Sequence, residues 1–370
     1  MKVAEIARKI DSLIPLKLAQ GWDNVGLLIG DKNKPVTRML LTIDTTKAVV
    51  AEARRLKTDM IVSYHPVIWD GLKQVLAAGP SAVVHDLVRA GIAVFSIHTA
   101  LDTADGGVND GLATILGIVD AEPLGDYVQN PAADKVKLVV FTPREALATV
   151  SNAMFAAGAG VIGNYTHCSY YGQGTGTFRG GAGSKPAVGR KGRREEVAEV
   201  RLEAIVPADR LQAVVAAMTA AHPYETPAFD CYRLMDPGGP LGLGRIGPLA
   251  EPMTVRRLIP RIKRATGARA FGIVGDDRRL VRTAAVCAGT CGAILNTVIA
   301  RGADLYLTGE LKHHQALAAA EAGLTCLCLS HTVSERFILK KLAKQLRPLL
   351  DGVKITLSTA DADPFKWVNV

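Results

Sequence analysis

Apolar positions along this chain switch between two periods. Helical spacing of 3.6 residues alternates with short continuous apolar runs that read as buried strands. Helix-like periodicity covers residues 2–18. RMLLTID (38–44) reads as a strand and 45–58 as a helix capped by Thr45 or Thr46. MIVSYHP (60–66) is the next strand, 77–90 contains a helix, and IAVFSIHT (92–99) is a third strand. Alternation of this kind predicts an open α/β sheet, in which ligands gather beyond the carboxyl ends of the strands.

The middle changes character. A strand opens at Lys135, a helix follows over 144–158, and 162–195 is rich in Gly, Ser and Tyr with strand and loop features. A strand at 199–207, a helix at 209–222 and a strand at 227–234 complete a β-α-β…β-α-β order, the ferredoxin-like arrangement. PGGPLGLG (237–244) reads as a boundary from its Pro and Gly content. The α/β pattern then resumes: helices at 253–266, 291–302, 311–323 and 334–350, and strands at 282–289, 303–310, 325–331 and 353–359. The expected organisation is an α/β core in two parts, 1–128 and 237–370, with an α+β domain inserted at 129–236.

Composition narrows the class. The 370 residues are 48% hydrophobic but only 5% aromatic, so the cores are expected to be built from Ala, Val, Leu and Ile. No apolar run reaches the length that spans a bilayer. The N-terminal stretch carries Glu5 and Asp11 and lacks the apolar region of a signal peptide, so a cytoplasmic protein is expected. Six cysteines without a CxxC pair fit reduced thiols. A formal net charge of +9 favours anionic partners. Five of the basic residues lie in KPAVGRKGRR (185–194), which reads either as a solvated loop or as an arm for an anion or nucleic acid.

Titratable residues recur at the expected strand ends: His65, His98, Asp102, Glu310 and His331. Glu335 follows His331 by four positions, and if HTVSE begins the helix of 334–350 the two side chains point along one face. Such a pair is more often a surface pair than a ligand pair. If strand ends converge, however, His, Asp and Glu without thiolates suit Zn, Mn, Fe or Co, and two such ions could activate a water and clamp an anionic substrate. Glu310 and His313 show Glu-x-x-His spacing in one copy, outside the helical bundle that uses it. GLGRIG (242–247) matches GxGxxG without the strand-turn-helix setting. His85 and HPYE (222–225) read as structural, and His167 supports no role.

GWDNVGLLIGD (21–31), SYHPVIW (63–69), SIHTALDTADGGVND (96–110), GLGRIG, LYLTGELKHHQAL (305–317), SHTVSER (330–336) and DPFKWV (363–368) together resemble the NIF-three-like family of dinuclear metal-centre proteins. Its members are often labelled GTP cyclohydrolase I type 2-like. The middle is similar to the PII- or CutA-like insert of the longer bacterial members. The resemblance implies a homohexameric ring with metal sites facing an internal cavity. By position it implies His65, Asp102, His331 and Glu335 as ligands of one or two divalent ions per chain (Zn, Mn or Fe). Many members have two consecutive histidines where this chain has Tyr64-His65. A phenol with a pKa near ~10 ligates only when deprotonated. In the hydrolase version of the family's activity, His98, Glu310 or His313 would move protons for attack on a nucleotide or another phosphorylated small molecule. In the alternative version the assembly is regulatory, with an effector in the insert and an anion or nucleic acid on the basic loop.

Overall fold

The short apolar runs become strands in the computed structural model, which describes residues 1–128, 135–163, 165–234 and 241–365. In chain order the strands are β1 (Gly26–Ile29), β2 (Arg38–Thr42), β3 (Met60–Ser63), β4 (Ala93–Ser96) and β5 (Glu122–Val128). β6 (Lys135–Thr142), β7 (Ser169–Arg179), β8 (Arg194–Pro207) and β9 (Phe229–Arg233) follow. The last six are β10 (Leu241–Thr254), β11 (Gly272–Val274), β12 (Leu280–Cys287), β13 (Leu305–Thr308), β14 (Thr325–Cys328) and β15 (Lys354–Leu357). The described residues divide into two units, Met1–Gln129 with Pro240–Val370, and Asn130–Gly239. The expected junctions at 128/129 and 236/237 adjoin or fall within residues outside the described set.

The first unit holds two sheets. One has the order β1-β4-β3-β2-β15, parallel except for β1; the other runs β11-β14-β13-β12-β10-β5, with β14, β13 and β12 parallel. The central parallel strands β3, β4 and β13 are buried on both faces, and this is why they read as unbroken apolar runs. Side chains alternate between two layers. Met39, Leu41, Val62, Tyr64 and Phe95 join Ala284, Val286, Leu305, Leu307 and Leu327 in one core shared by both sheets. The same core takes in Ile6 and Ile10 of the helix Val3–Leu13, Leu112 of Val108–Leu116, Leu258 of Val255–Thr266 and Leu342 of Ile338–Leu346. Leu40, Ile61 and Val94 point the other way, against Val49 and Leu87. Truncating one of these fully buried leucines to Ala costs about 2–5 kcal/mol.

The second unit is one antiparallel sheet, β7-β8-β6-β9, with the helices Leu147–Ala156 and Leu211–Ala221. Its connection order, strand-helix-strand-strand-helix-strand, is the one expected from the sequence. Val150, Met154, Val214 and Met218 pack on Leu202, Ala204 and Val206 of β8.

Several boundaries differ from the expectation. The apolar run 92–99 is not one strand. β4 ends at Ser96 and a helix begins at His98, where the backbone N–H of Thr99 is taken by the Asp23 carboxylate. Residues 241–244, read as part of a boundary, start the 14-residue β10; 237–240 lie outside the described residues. The Gly- and Tyr-rich stretch contains a long hairpin, β7 with β8, whose loop carries 185–193. The expected helix 334–350 is Val333–Arg336 followed by Ile338–Leu346. β1, β5, β11 and the helix Val108–Leu116 had no clear periodic signal. The N-cap of Lys47–Arg55 is Thr46, whose hydroxyl accepts from Val49 N–H at 3.3 Å.

Candidate metal centre

Adjacent parallel strands deliver their next residues to one place. Asp44 follows β2, Tyr64 and His65 follow β3, and His98 follows β4. In the second sheet of this unit Gly289 and Thr290 follow β12, Glu310 follows β13 and His331 follows β14. This is the carboxyl-end geometry expected of α/β sheets, drawn from two sheets at once.

Three side chains converge most tightly. Donor atoms of His65, His331 and Glu335 all lie within 4.8 Å of one another. Glu335 is 2% exposed. Its Oε1 is 3.3 Å from His331 Nε2, and its Oε2 is 3.6 Å from His65 Nε2. Both imidazoles are held from behind: Asp44 Oδ1 lies 2.9 Å from His65 Nδ1 and Glu310 Oε1 lies 3.0 Å from His331 Nδ1. A carboxylate on Nδ1 orients the ring and turns Nε2 toward the shared space, as around protein-bound metals. Thr290 completes the support, its hydroxyl bonded to Glu310 and 3.0 Å from His331 Nδ1. Glu335 Oε2 is buried without a hydrogen-bond partner, an expensive state for a carboxylate oxygen. Two oriented imidazoles and an under-satisfied carboxylate fit a divalent cation.

A third histidine repeats the pattern. His98 Nδ1 is 2.9 Å from Asp23 Oδ1, and Asp23 is further held by the Thr99 backbone and hydroxyl. The His98 ring centroid is 5.1 Å from that of His65. Tyr64 is 1% exposed and its hydroxyl donates to Asp102 Oδ1, so Asp102 stands beside the group of three with one oxygen already engaged. His313 is not brought into this cluster; it is exposed and its ring contact is with His314.

The charges follow from these contacts. Desolvation opposes ionisation of Asp23 and Asp44, but the hydrogen bonds from their histidines prevail and hold both below the usual range. The bond to Glu335 raises His331 to about 9, against burial. Burial lowers His65, but Asp44 and Glu335 more than compensate and its pKa is raised. Desolvation, aided by Glu335, pushes Asp102 up to about 7 despite the pull of His98, Tyr64 and His65. Desolvation and the charges of Asp102 and Glu335 lift Tyr64 well above the ordinary phenol range, so it stays a neutral donor. Carboxylates outnumber histidines in the cluster, which favours a cation.

Backbone details make the convergence possible. Gly289 has φ +68°, and a Cβ there would stand 2.7 Å from Glu335 Oε1. At Gly309 a Cβ would stand 2.6 Å from the Gly289 carbonyl oxygen. Ser330, just before His331, holds φ +78° without being Gly, and its hydroxyl donates to Asp363 at 2.7 Å. Asn109 joins the two sheets' loops, donating to the Asp102 carbonyl and accepting from Ala288 N–H. Sequence reasoning passed over Asp23, Asp44, Thr290, Gly289 and Asn109. Asp23 and Asn109 lie within stretches that carry the resemblance, but no spacing points to the role of any of the five, since each is a single residue far from its partner in sequence.

Comparison with known proteins agrees across the chain. The family model Duf34/NIF3 (NGG1p interacting factor 3) matches residues 1–364. A Mycobacterium tuberculosis protein named GTP cyclohydrolase 1 type 2 homolog is 40% identical over 342 residues, 90% of this chain and 88% of that one. The Bacillus subtilis protein of the same name is 34% identical over 368 residues, 98% of each. The crystal structure of a Bacillus cereus protein related to NIF3 superposes with a TM-score of 0.84 at 36% identity, covering 100% of this chain and 99% of that one.

Proposed function

The chain belongs to the Duf34/NIF3 family, and we propose that it binds divalent metal at His65, His331 and Glu335 and acts as a metal-dependent hydrolase. The substrate class is a nucleotide or another phosphorylated small molecule, in keeping with the name its relatives carry. The observation that carries the reading is the pair of imidazoles turned toward one buried carboxylate by Asp44 and Glu310. A cation bound there supplies Lewis-acid polarisation and a more acidic water. The chain's own residues do the rest. Asp44 and Glu310 keep the Nε2 atoms aimed, and Glu335 supplies the anionic donor between them. His98, braced by Asp23, and Asp102, with its pKa near about 7, are the groups poised to hold or move a proton. Glu310 serves by orienting His331. A second ion would draw on Asp102 and Glu335, which leaves proton transfer to His98.

The reading extends to a cytoplasmic homohexamer whose 129–236 segment is a PII- or CutA-like insert. Six cysteines with no disulfide among them fit that compartment, and no helix among the described residues is long and apolar enough to cross a membrane. One observation favours a regulatory version of the same protein. The second unit has a cavity of about 590 Å³ between β7, β8 and the loops at 184–188 and 224–228, lined by Phe141, Tyr170, Arg201 and Tyr224, which suits a small effector. Turnover separates the versions. The hydrolase reading predicts release of product from GTP or from simple phosphodiesters with added Zn, Mn or Fe, abolished in Glu335→Gln. No turnover with any of these metals would leave the regulatory version.

A further inference from the structure

Two tryptophans flank the cluster with most of their surface uncovered. Trp22 is 66% exposed and Trp69 is 55% exposed. Indoles left open beside a group of oriented polar side chains mark a binding surface more than a packing one. Both meet the same imidazole. The Trp69 ring centroid is 5.3 Å from that of His98 at an interplanar angle of 83°, and the Trp22 centroid is 5.9 Å from it at 71°. Trp69 also lies 5.9 Å from the His65 ring. Neither indole N–H donates to another described residue.

These positions are braced by the residues that brace the metal cluster. Trp22 precedes Asp23, the carboxylate on His98 Nδ1. Asn24 then donates from Nδ2 to the Ile68 carbonyl at 2.6 Å, one residue before Trp69. A single three-residue run therefore fixes a histidine of the site, one indole, and the loop that carries the other.

We propose that Trp22 and Trp69 are the specificity platform of this site, stacking a flat heteroaromatic ring of the nucleobase kind beside His98. The proposal rests on the metal-centre reading and sharpens it, because an anion alone needs no indole. Aromatic platforms of this sort take any base, since every base has a π-face.

The test uses the full chain loaded with Mn in a Trp367→Phe background, which leaves two of the three tryptophans to report. GMP and ribose 5-phosphate are titrated while indole fluorescence is followed, and metal content is measured on the same samples. GMP is expected to quench the signal and to bind about tenfold or more tighter than ribose 5-phosphate. Trp69→Ala and Trp22→Ala should each weaken GMP about tenfold, leaving ribose 5-phosphate binding and metal content unchanged, while Trp69→Phe keeps most of the GMP affinity. Equal binding of the two ligands would overturn the proposal. So would alanine variants that weaken both ligands alike, or that bind GMP as before but fall to a smaller oligomer, which would make the indoles contacts between copies. A chain that takes up no metal would instead remove the reading on which the proposal stands.

Discussion

A carboxylate on the far nitrogen is what turns each imidazole of this cluster into a donor aimed at a shared point. Asp44 does this for His65 and Glu310 for His331, and Asp23 holds His98 in the same way beside them. The pairing of His331 with Glu335 was legible from its spacing of four, although the helix starts only at Val333 and His331 sits in the turn before it. Asp23 and Asp44 were not, because each acts on a histidine 75 or 21 positions away. Gly289 had no sequence signal, because the room its missing Cβ leaves for Glu335 is a tertiary fact. Tyr64, the odd residue of the motif, has a defined job as a neutral donor to Asp102. Replacing it tests whether that job limits occupancy. Tyr64→His removes the bond that engages Asp102 and adds a nitrogen donor, so elemental analysis should show metal rising from one to two ions per chain. A content that stays at one would show that the phenol is not the limit.

Among the elements, the segment after β15 matters more than its irregular conformation suggests. Glu52 of the helix Lys47–Arg55 accepts from the Ser358 and Thr359 hydroxyls and from the backbone of Thr359 and Ala360. Asp361 then accepts from Ile43 N–H at 2.9 Å and pairs with Arg336 at 3.1 Å, and Asp363 takes the Ser330 hydroxyl. The tail so ties the Asp44 loop to the residues on either side of His331. Burial opposes ionisation of Glu52, but these bonds prevail and lower its pKa from 4.5 to about 2. A depressed carboxylate pKa contributes stability that is fully present above the unfolded value and is lost as pH falls from 4.5 toward about 2. Glu52→Gln should therefore flatten the acid limb of the denaturation profile in that window and lower stability near neutrality by about 2 kcal/mol. Denaturant melts from pH 2 to 7 check this; a profile parallel to wild type would show that Glu52 is not the group being titrated.

On the scale of the whole molecule, the site exists because two sheets of one unit end their parallel strands at the same place. Alternating α/β elements, strand-end histidines and the β-α-β-β-α-β order of the middle were legible, since buried parallel strands and amphipathic helices leave strong apolar patterns. What was not legible was convergence. β3 and β14 lie far apart in sequence and in different sheets, and the core that unites Tyr64 with Leu327, with the Asn109 and Asp361 bonds, brings their ends together. Short elements were also lost: β11 has three residues, and β1 sits in a glycine-flanked turn region. Glycines 242 and 244, read as part of the boundary at 237–244, belong to a long paired strand. The central claim is that this convergence holds a metal, and metal content of purified protein measures it most directly. Wild type should carry at least one divalent ion per chain after dialysis, and His65→Ala, His331→Ala and Glu335→Gln should each lose it while keeping wild-type circular dichroism. Metal-free wild-type protein that takes up no Zn, Mn or Fe, or folded variants that retain the wild-type content, would contradict it.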